Sequence, residues 1–214
     1  MTTKLAGFFG IAAVTGLCAF APTAHAQAID NSNDTVHCET VTKGAIKFAP
    51  ALSNTGAVAT VIKISGTLGG CSSASNPTLV FPEGKSKFKG LLNAATNNCA
   101  ALAGPSTTNG TLTFSWGVAA PGVTQKVSTV TIPSGGSVGS FAAIGGGSYG
   151  VFGLGAPQGG AALSVTGGFT GGNGGATSGG YVVTQQSVAS ILSYCGSLTG
   201  LKAINIGVSQ IDLN

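Results

Sequence analysis

The chain has 214 residues, of which 36 are glycine and only 7% are charged; nine lysines and no arginine stand against five acids, for a formal net charge of +4. So much glycine and so little charge do not suit a cytosolic enzyme, and without arginine a nucleic-acid site would lack its usual anchor. The positive balance is spread thinly and names no acidic partner by itself.

The N-terminus reads as a secretory signal. Lys4 precedes an apolar run from Leu5 to Phe20, and Ala24-His25-Ala26 supplies the small-x-small cleavage pattern. The run is too short to span a bilayer, and Leu17 before Cys18 is too large for a lipoprotein site. Residues 1–26 are therefore expected to leave, residues 27–37 to form a flexible tail, and residues 38–214 to form a single domain. No later apolar stretch reaches spanning length, so no transmembrane segment is expected in the mature chain.

Cys38, Cys71, Cys99 and Cys195 remain after cleavage, and an even count behind a secretory signal reads as two disulfides. Two strands folded about Asn54-Thr55-Gly56 would bring Cys38 beside Cys71, because those positions are symmetric about the turn. Cys99 then takes Cys195, closing a long loop that the chain-entropy model values at roughly 4 to 5 kcal/mol. No cysteine pair has zinc spacing, and His37 is the one histidine left, so no metal is expected.

Strand alternation between turn signals appears at about 43–50, 57–68, 78–81, 85–92, 110–118, 124–132, 161–170 and 201–213, with a further strand near 148–154. The pattern predicts an all-β, antiparallel, Greek-key-like β-sandwich, with a barrel as the less favoured alternative. Trp116 is the predicted core anchor, with Phe114 on the same strand face. One short helix is predicted in "TQQSVASILSYCGS": Val188, Ile191, Leu192 and Cys195 share a face, Thr184 can cap the start, and Gly196 follows the end. In the last strand the apolar phase shifts after Gly207, which predicts a bulge. Residues 133–180 hold most of the glycine and otherwise read as long loops.

Motifs for chemistry are thin. Gly135-Gly-Ser137-Val-Gly139 and Gly146-Gly-Ser148-Tyr-Gly150 match a nucleophile elbow, but no histidine follows either serine. Gly145, Gly147 and Gly150 match a dinucleotide fingerprint without the βαβ unit it requires. Asp30 and Asp34 lack EF-hand spacing and read as tail charges. No catalytic, cofactor-binding or metal residue is assigned. A hydrolase would need Glu83, Asp212 and His37 to gather on one surface.

"EGKSKFKG" carries Lys85, Lys87 and Lys89 at alternate positions, which a strand would turn to one face, with Phe88 on the other. Two readings compete. Lysines on an exposed edge strand block sheet-to-sheet aggregation, and this is the preferred reading; the alternative is a stripe that binds an anionic wall polymer or glycan. Tyr149, Phe152, Phe169 and Tyr181 are the aromatics that a glycan site would draw on.

The stretches "IKFAPAL", "ISGTLGGCSS", "NNCAALAG", "GTLTFSWG", "VTGGFTGG" and "SVASILSYCGSLTGLKAINIG" together resemble a group of small secreted, disulfide-bonded bacterial β proteins of actinobacterial type. The resemblance spans most of the mature chain and implies secretion and a β-sandwich, but no chemistry. In its cysteine-linked first hairpin the chain is also similar, more weakly, to spore-coat-type pilin subunits, which are shorter. The expectation is a secreted, non-catalytic envelope or extracellular protein, structural or adhesive. Its alternatives are a glycan- or wall-polymer-binding module and, behind that, a secreted hydrolase. No cofactor and no nucleic acid are expected; the partners considered are a cell-surface polysaccharide and further copies of the chain.

Overall fold

A computed structural model of the chain describes residues 28–99, 106–138, 148–153, 164–171 and 179–213. The proposed signal segment lies outside these residues. Nine strands and one helix lie among them: β1 (Val36–Leu52), β2 (Thr60–Ser72), β3 (Ser86–Ala94), β4 (Ser106–Ser115), β5 (Val127–Val138), β6 (Ser148–Gly153), β7 (Ser164–Gly167), β8 (Gly179–Thr184), α1 (Val188–Cys195) and β9 (Leu201–Leu213). They ladder in the order β6-β8-β9-β1-β2-β3-β4-β5-β7, and every neighbouring pair is antiparallel.

The all-β antiparallel expectation holds. The strands form one continuous sheet, however, rather than the two stacked sheets of a sandwich. β5, near one end of the order, comes against β6 at the other end, although no ladder joins them among the described residues. The sheet thus curls about one contiguous core, to which β1 gives Ile46 and Phe48, β2 Ile62 and Ile64, β4 Leu112 and Phe114, and β9 Ile204 and Ile206.

Alternation explains why these segments are strands. In β3, Ser86, Phe88, Leu92 and Ala94 are buried while Lys87, Lys89, Leu91 and Asn93 are exposed. Trp116 lies in the core, as expected, stacked on Phe114 at 5.5 Å and 8° between ring planes. Phe88 stacks on the far side of Phe114 at 5.9 Å, and Phe169 meets the Trp116 edge at 5.4 Å. Phe169 is fully buried and so is a core residue, not a glycan platform.

The hairpin reading places both disulfides correctly. Cys38 stands opposite Cys71 with Cα atoms 4.0 Å apart, and Cys99 is bonded to Cys195 across 6.0 Å. Register is constant from His37↔Ser72 to Thr42↔Thr67, then slips by one residue before Ala45↔Ser65. The extra residue belongs to β1, where Lys43 has a positive φ of 52°. The bulge predicted after Gly207 is present too: Val182 faces Ser209 but Thr184 faces Ile206, which leaves an extra residue on β9.

Four local expectations are corrected. Residues 78–81 form no strand; Leu79 is buried in a loop and Phe81 packs against Trp116 and Phe169. β8 arises inside the glycine-rich region, where the side-chain period was too weak to read. The helix is capped by Ser187, whose hydroxyl accepts from Ser190 N–H, because Thr184 is used up as the last residue of β8. Of the predicted buried helix face, Ile191 and Cys195 are buried, whereas Val188 and Leu192 are exposed. Gly196 follows the helix end as predicted.

The segment before β1 is not free. Ile29 donates its N–H to Gly122 and bridges to Val123, and fully buried Asn31 donates its amide to Gln125 O at 2.7 Å. Phe169 and Thr170 donate back to Asn31 O and Ser32 O. Sequence composition hides this strap because its polar side chains bond to loop backbone that only tertiary structure brings near.

Ser128 is the polar joint of the core. Its hydroxyl accepts the Trp116 indole N–H at 2.7 Å and donates to Gly168 O, and Ser128 is fully buried. Ser128→Ala strands a buried donor and a buried acceptor, so stability should fall by about 2–4 kcal/mol; denaturant unfolding followed by Trp116 fluorescence measures it.

Candidate functional site

The lysine motif is split by the structure. Lys85 lies in the turn before β3, its N–H donated to Pro82 O, and only Lys87 and Lys89 stand in the strand. Both point outward, with Phe88 inward, as alternation requires. The preferred edge-protection reading is overturned, because β3 lies between β2 and β4 and is paired on both sides. These lysines guard no open edge.

They belong instead to a larger cationic surface that crosses three adjacent strands. Lys47 of β1 faces Lys63 of β2; one row on, Ser65 faces Lys89, and one row further, Thr67 faces Lys87. Lys43, at the bulge, is exposed, while Gly44 beside it is buried with no room for a side chain against Val41 and Ile206. Lys43, Lys87 and Lys89 line one shallow depression and Lys47, Lys63 and Lys89 line the next; Ser65 and Thr113 are shared between them. All five lysines are exposed.

Among the described residues none of the five has a carboxylate within ion-pair distance. Among the described residues the one acid–base contact is His37 Nδ1 with Asp212 Oδ1 at 2.5 Å, ten residues along β1 from Lys47. Lys47 and Lys63, directly opposed, repel each other, a cost that a sheet serving packing alone has no reason to bear. Side-chain spacing is set by the sheet itself: about 5 Å between strands and about 7 Å between alternate residues. Ammonium groups at that spacing are hydrated point charges, suited to a flexible polyanion rather than to forked recognition of one carboxylate.

The outward positions beside the lysines are Val61, Ser65, Thr67, Leu91, Asn93, Thr111, Thr113 and Ser115. No aromatic ring stands among them, so the face has no stacking platform for neutral sugar rings. Tyr149 pairs through its backbone with Val182, Tyr181 with Gly150, and Phe152 with Gly180. The side chains of these three lie outside the described residues.

The remaining candidates separate. β1–β9 pairing joins His37 to Asp212, and Gln210 Nε2 also donates to Asp212 Oδ2 at 3.1 Å. Glu83 does not join them. Its carboxylate rests over Gly69, which pairs with Thr40, three ladder positions from His37. Ser137 is inside β5 opposite Thr107, and Ser148 begins β6 opposite Val183, so neither serine sits on a strand-to-helix elbow. Asp30 accepts Ser32 N–H at 3.0 Å, and that bond holds its carboxyl below the usual carboxylate range. No group of three metal-ligating side chains occurs among the described residues.

Sequence reasoning missed Lys43, Lys47 and Lys63. A signal for two of them was present: the symmetry that pairs Cys38 with Cys71 also sets Lys47 against Lys63 once the bulge shifts the register by one. Compared with known proteins, the chain matches no family model, no curated protein and no solved structure.

If charge on this face is held against stability, Lys63→Glu should stabilise the protein by about 0.5 kcal/mol, by turning the opposed pair into an attractive one. Thermal unfolding of the variant beside wild type at low salt decides it.

Proposed function

We propose that the protein is a secreted, non-catalytic module that binds an anionic polymer of the cell envelope through Lys43, Lys47, Lys63, Lys87 and Lys89. The observation that carries this reading is that these five exposed lysines share one sheet face with no carboxylate partner among the described residues. Two disulfides support an oxidising compartment, and no helix among the described residues is long and apolar enough to cross a membrane. An adhesive role follows from the same contact, since a rigid sheet face gripping a wall polymer holds the protein at the surface.

The absence of aromatics beside the lysines favours a charged polymer over a neutral one, and the lysine chemistry favours salt-sensitive contact along a repeating chain. Both uronate and phosphodiester polymers present charge in this way.

The test is binding of the oxidised protein to polygalacturonate, to a poly(glycerol phosphate) and to a neutral glucan. Saturable binding to one or both anionic polymers, none to the glucan, and at least a tenfold loss in the Lys63→Ser/Lys87→Ser/Lys89→Ser variant are expected. Equal binding to all three polymers, or full affinity in the variant, would sink the reading.

A further inference from the structure

All five acids of the chain, Asp30, Asp34, Glu39, Glu83 and Asp212, gather at the end of the sheet where β1 begins and β2 and β9 finish. Asp212 is engaged by His37. Asp34 accepts from Ser75 Oγ and Asn76 Nδ2 at 3.2 and 3.3 Å, just beyond β2. Asp30 sits in the strap, bonded to Ser32.

Glu39 and Glu83 differ from these three. They lie over successive glycines of β2: a Cβ on Gly69 would meet Glu83 Oε1 at 2.8 Å, and one on Gly70 would meet Glu39 Oε2 at 3.1 Å. Both residues are exposed, and among the described residues neither has a cation within ion-pair distance, although Lys85 and Lys126 lie at the same end. Two like charges are thus held on neighbouring backbone without compensation. The lysine face begins only two ladder positions along β2, where Thr67 meets Lys87.

The monomer therefore carries an acidic pair and a basic face on one sheet, and among the described residues no ion pair joins them. We propose that a second copy of this chain supplies the partner: the Glu39 and Glu83 edge of one molecule docks on the Lys43, Lys87 and Lys89 depression of the next. The two patches are different surfaces, so the contact is heterologous and leaves each copy with one free patch of either sign. Such a contact propagates head to tail instead of closing as a two-fold dimer. It shares its lysines with the proposed polymer site but draws on acids that site does not use, so polymer and neighbour compete.

Sedimentation velocity on the oxidised protein tests this. Wild type should associate progressively with concentration at about 50 mM salt and return to monomer at about 500 mM, where screening shortens the reach of each charge severalfold. Glu39→Lys/Glu83→Lys and Lys87→Glu/Lys89→Glu should each be monomeric alone, and mixing the two should restore association, because each then offers what the other lacks. Trp116 emission matched to wild type certifies that both variants are folded. A wild type that stays monomeric at low salt overturns the proposal, as does association that survives either double reversal or fails to return on mixing. The acid variant keeps the whole lysine face, so its binding to the anionic polymers reports the polymer reading separately. Either idea can fail while the other stands.

Discussion

Pairing β1 with β2 so that Cys38 faces Cys71 settles the direction of nearly every other side chain in the molecule. Strand side chains alternate, so a slip of one residue would exchange the buried and exposed faces of both strands at once. The disulfide holds the register at one end, and the single bulge at Lys43 resets it before Ile46 and Ile64 meet in the core. Because β1 also ladders with β9, and β2 with β3, the same register passes outward to Ile204 on one side and Phe88 on the other. The core and the lysine face are two sides of that one alignment.

The inner face is where burial is concentrated, and its aromatic column shows how it was tuned. Phe88, Phe114 and Trp116 stack in sequence, and Phe169 closes the edge of the column from a loop in which it adopts a left-handed backbone. That conformation is disfavoured for a bulky residue, and it is held by the Phe169 N–H donated to Asn31 O and by the ring contacts. The N-terminal strap, the Ser128 joint and the Phe169 loop therefore support one another around a single tryptophan. Glycine serves this packing too: a Cβ on Gly90 would come within 2.3 Å of Leu112 Cδ2, so Phe88 and Leu92 flank a position where the neighbouring strand's leucine fills the space.

How much of this was legible follows from the range of the signals. Period-two alternation and turn residues are local, and they revealed β1, β2, β3, the Trp116 strand and the final strand with its bulge. Hairpin symmetry is only slightly less local, and it paired the cysteines. What stayed hidden depended on sequence-remote neighbours. Nothing near Lys87 says that β4 covers the far side of β3, so the lysines read as edge guards. Nothing near Asn31 says that Gln125 will accept its amide. The gathering of five lysines needed three strands in register at once, and in the glycine-rich stretch β8 had too few side chains to show a period.

The pairing of β1 with β9 has a consequence for the timing of folding. His37 meets Asp212 across almost the full length of the described chain, a separation of 175 residues. β1 stands mid-sheet, so until β9 arrives its outer ladder is an unpaired edge beside exposed apolar residues, the condition that invites wrong partners. Loops of that length close slowly. The native sheet therefore has no complete intermediate built from the N-terminal half alone. A chain of this design does best to be kept extended until its last strand has been delivered, with the Cys99–Cys195 bond then locking the late-arriving segment in place.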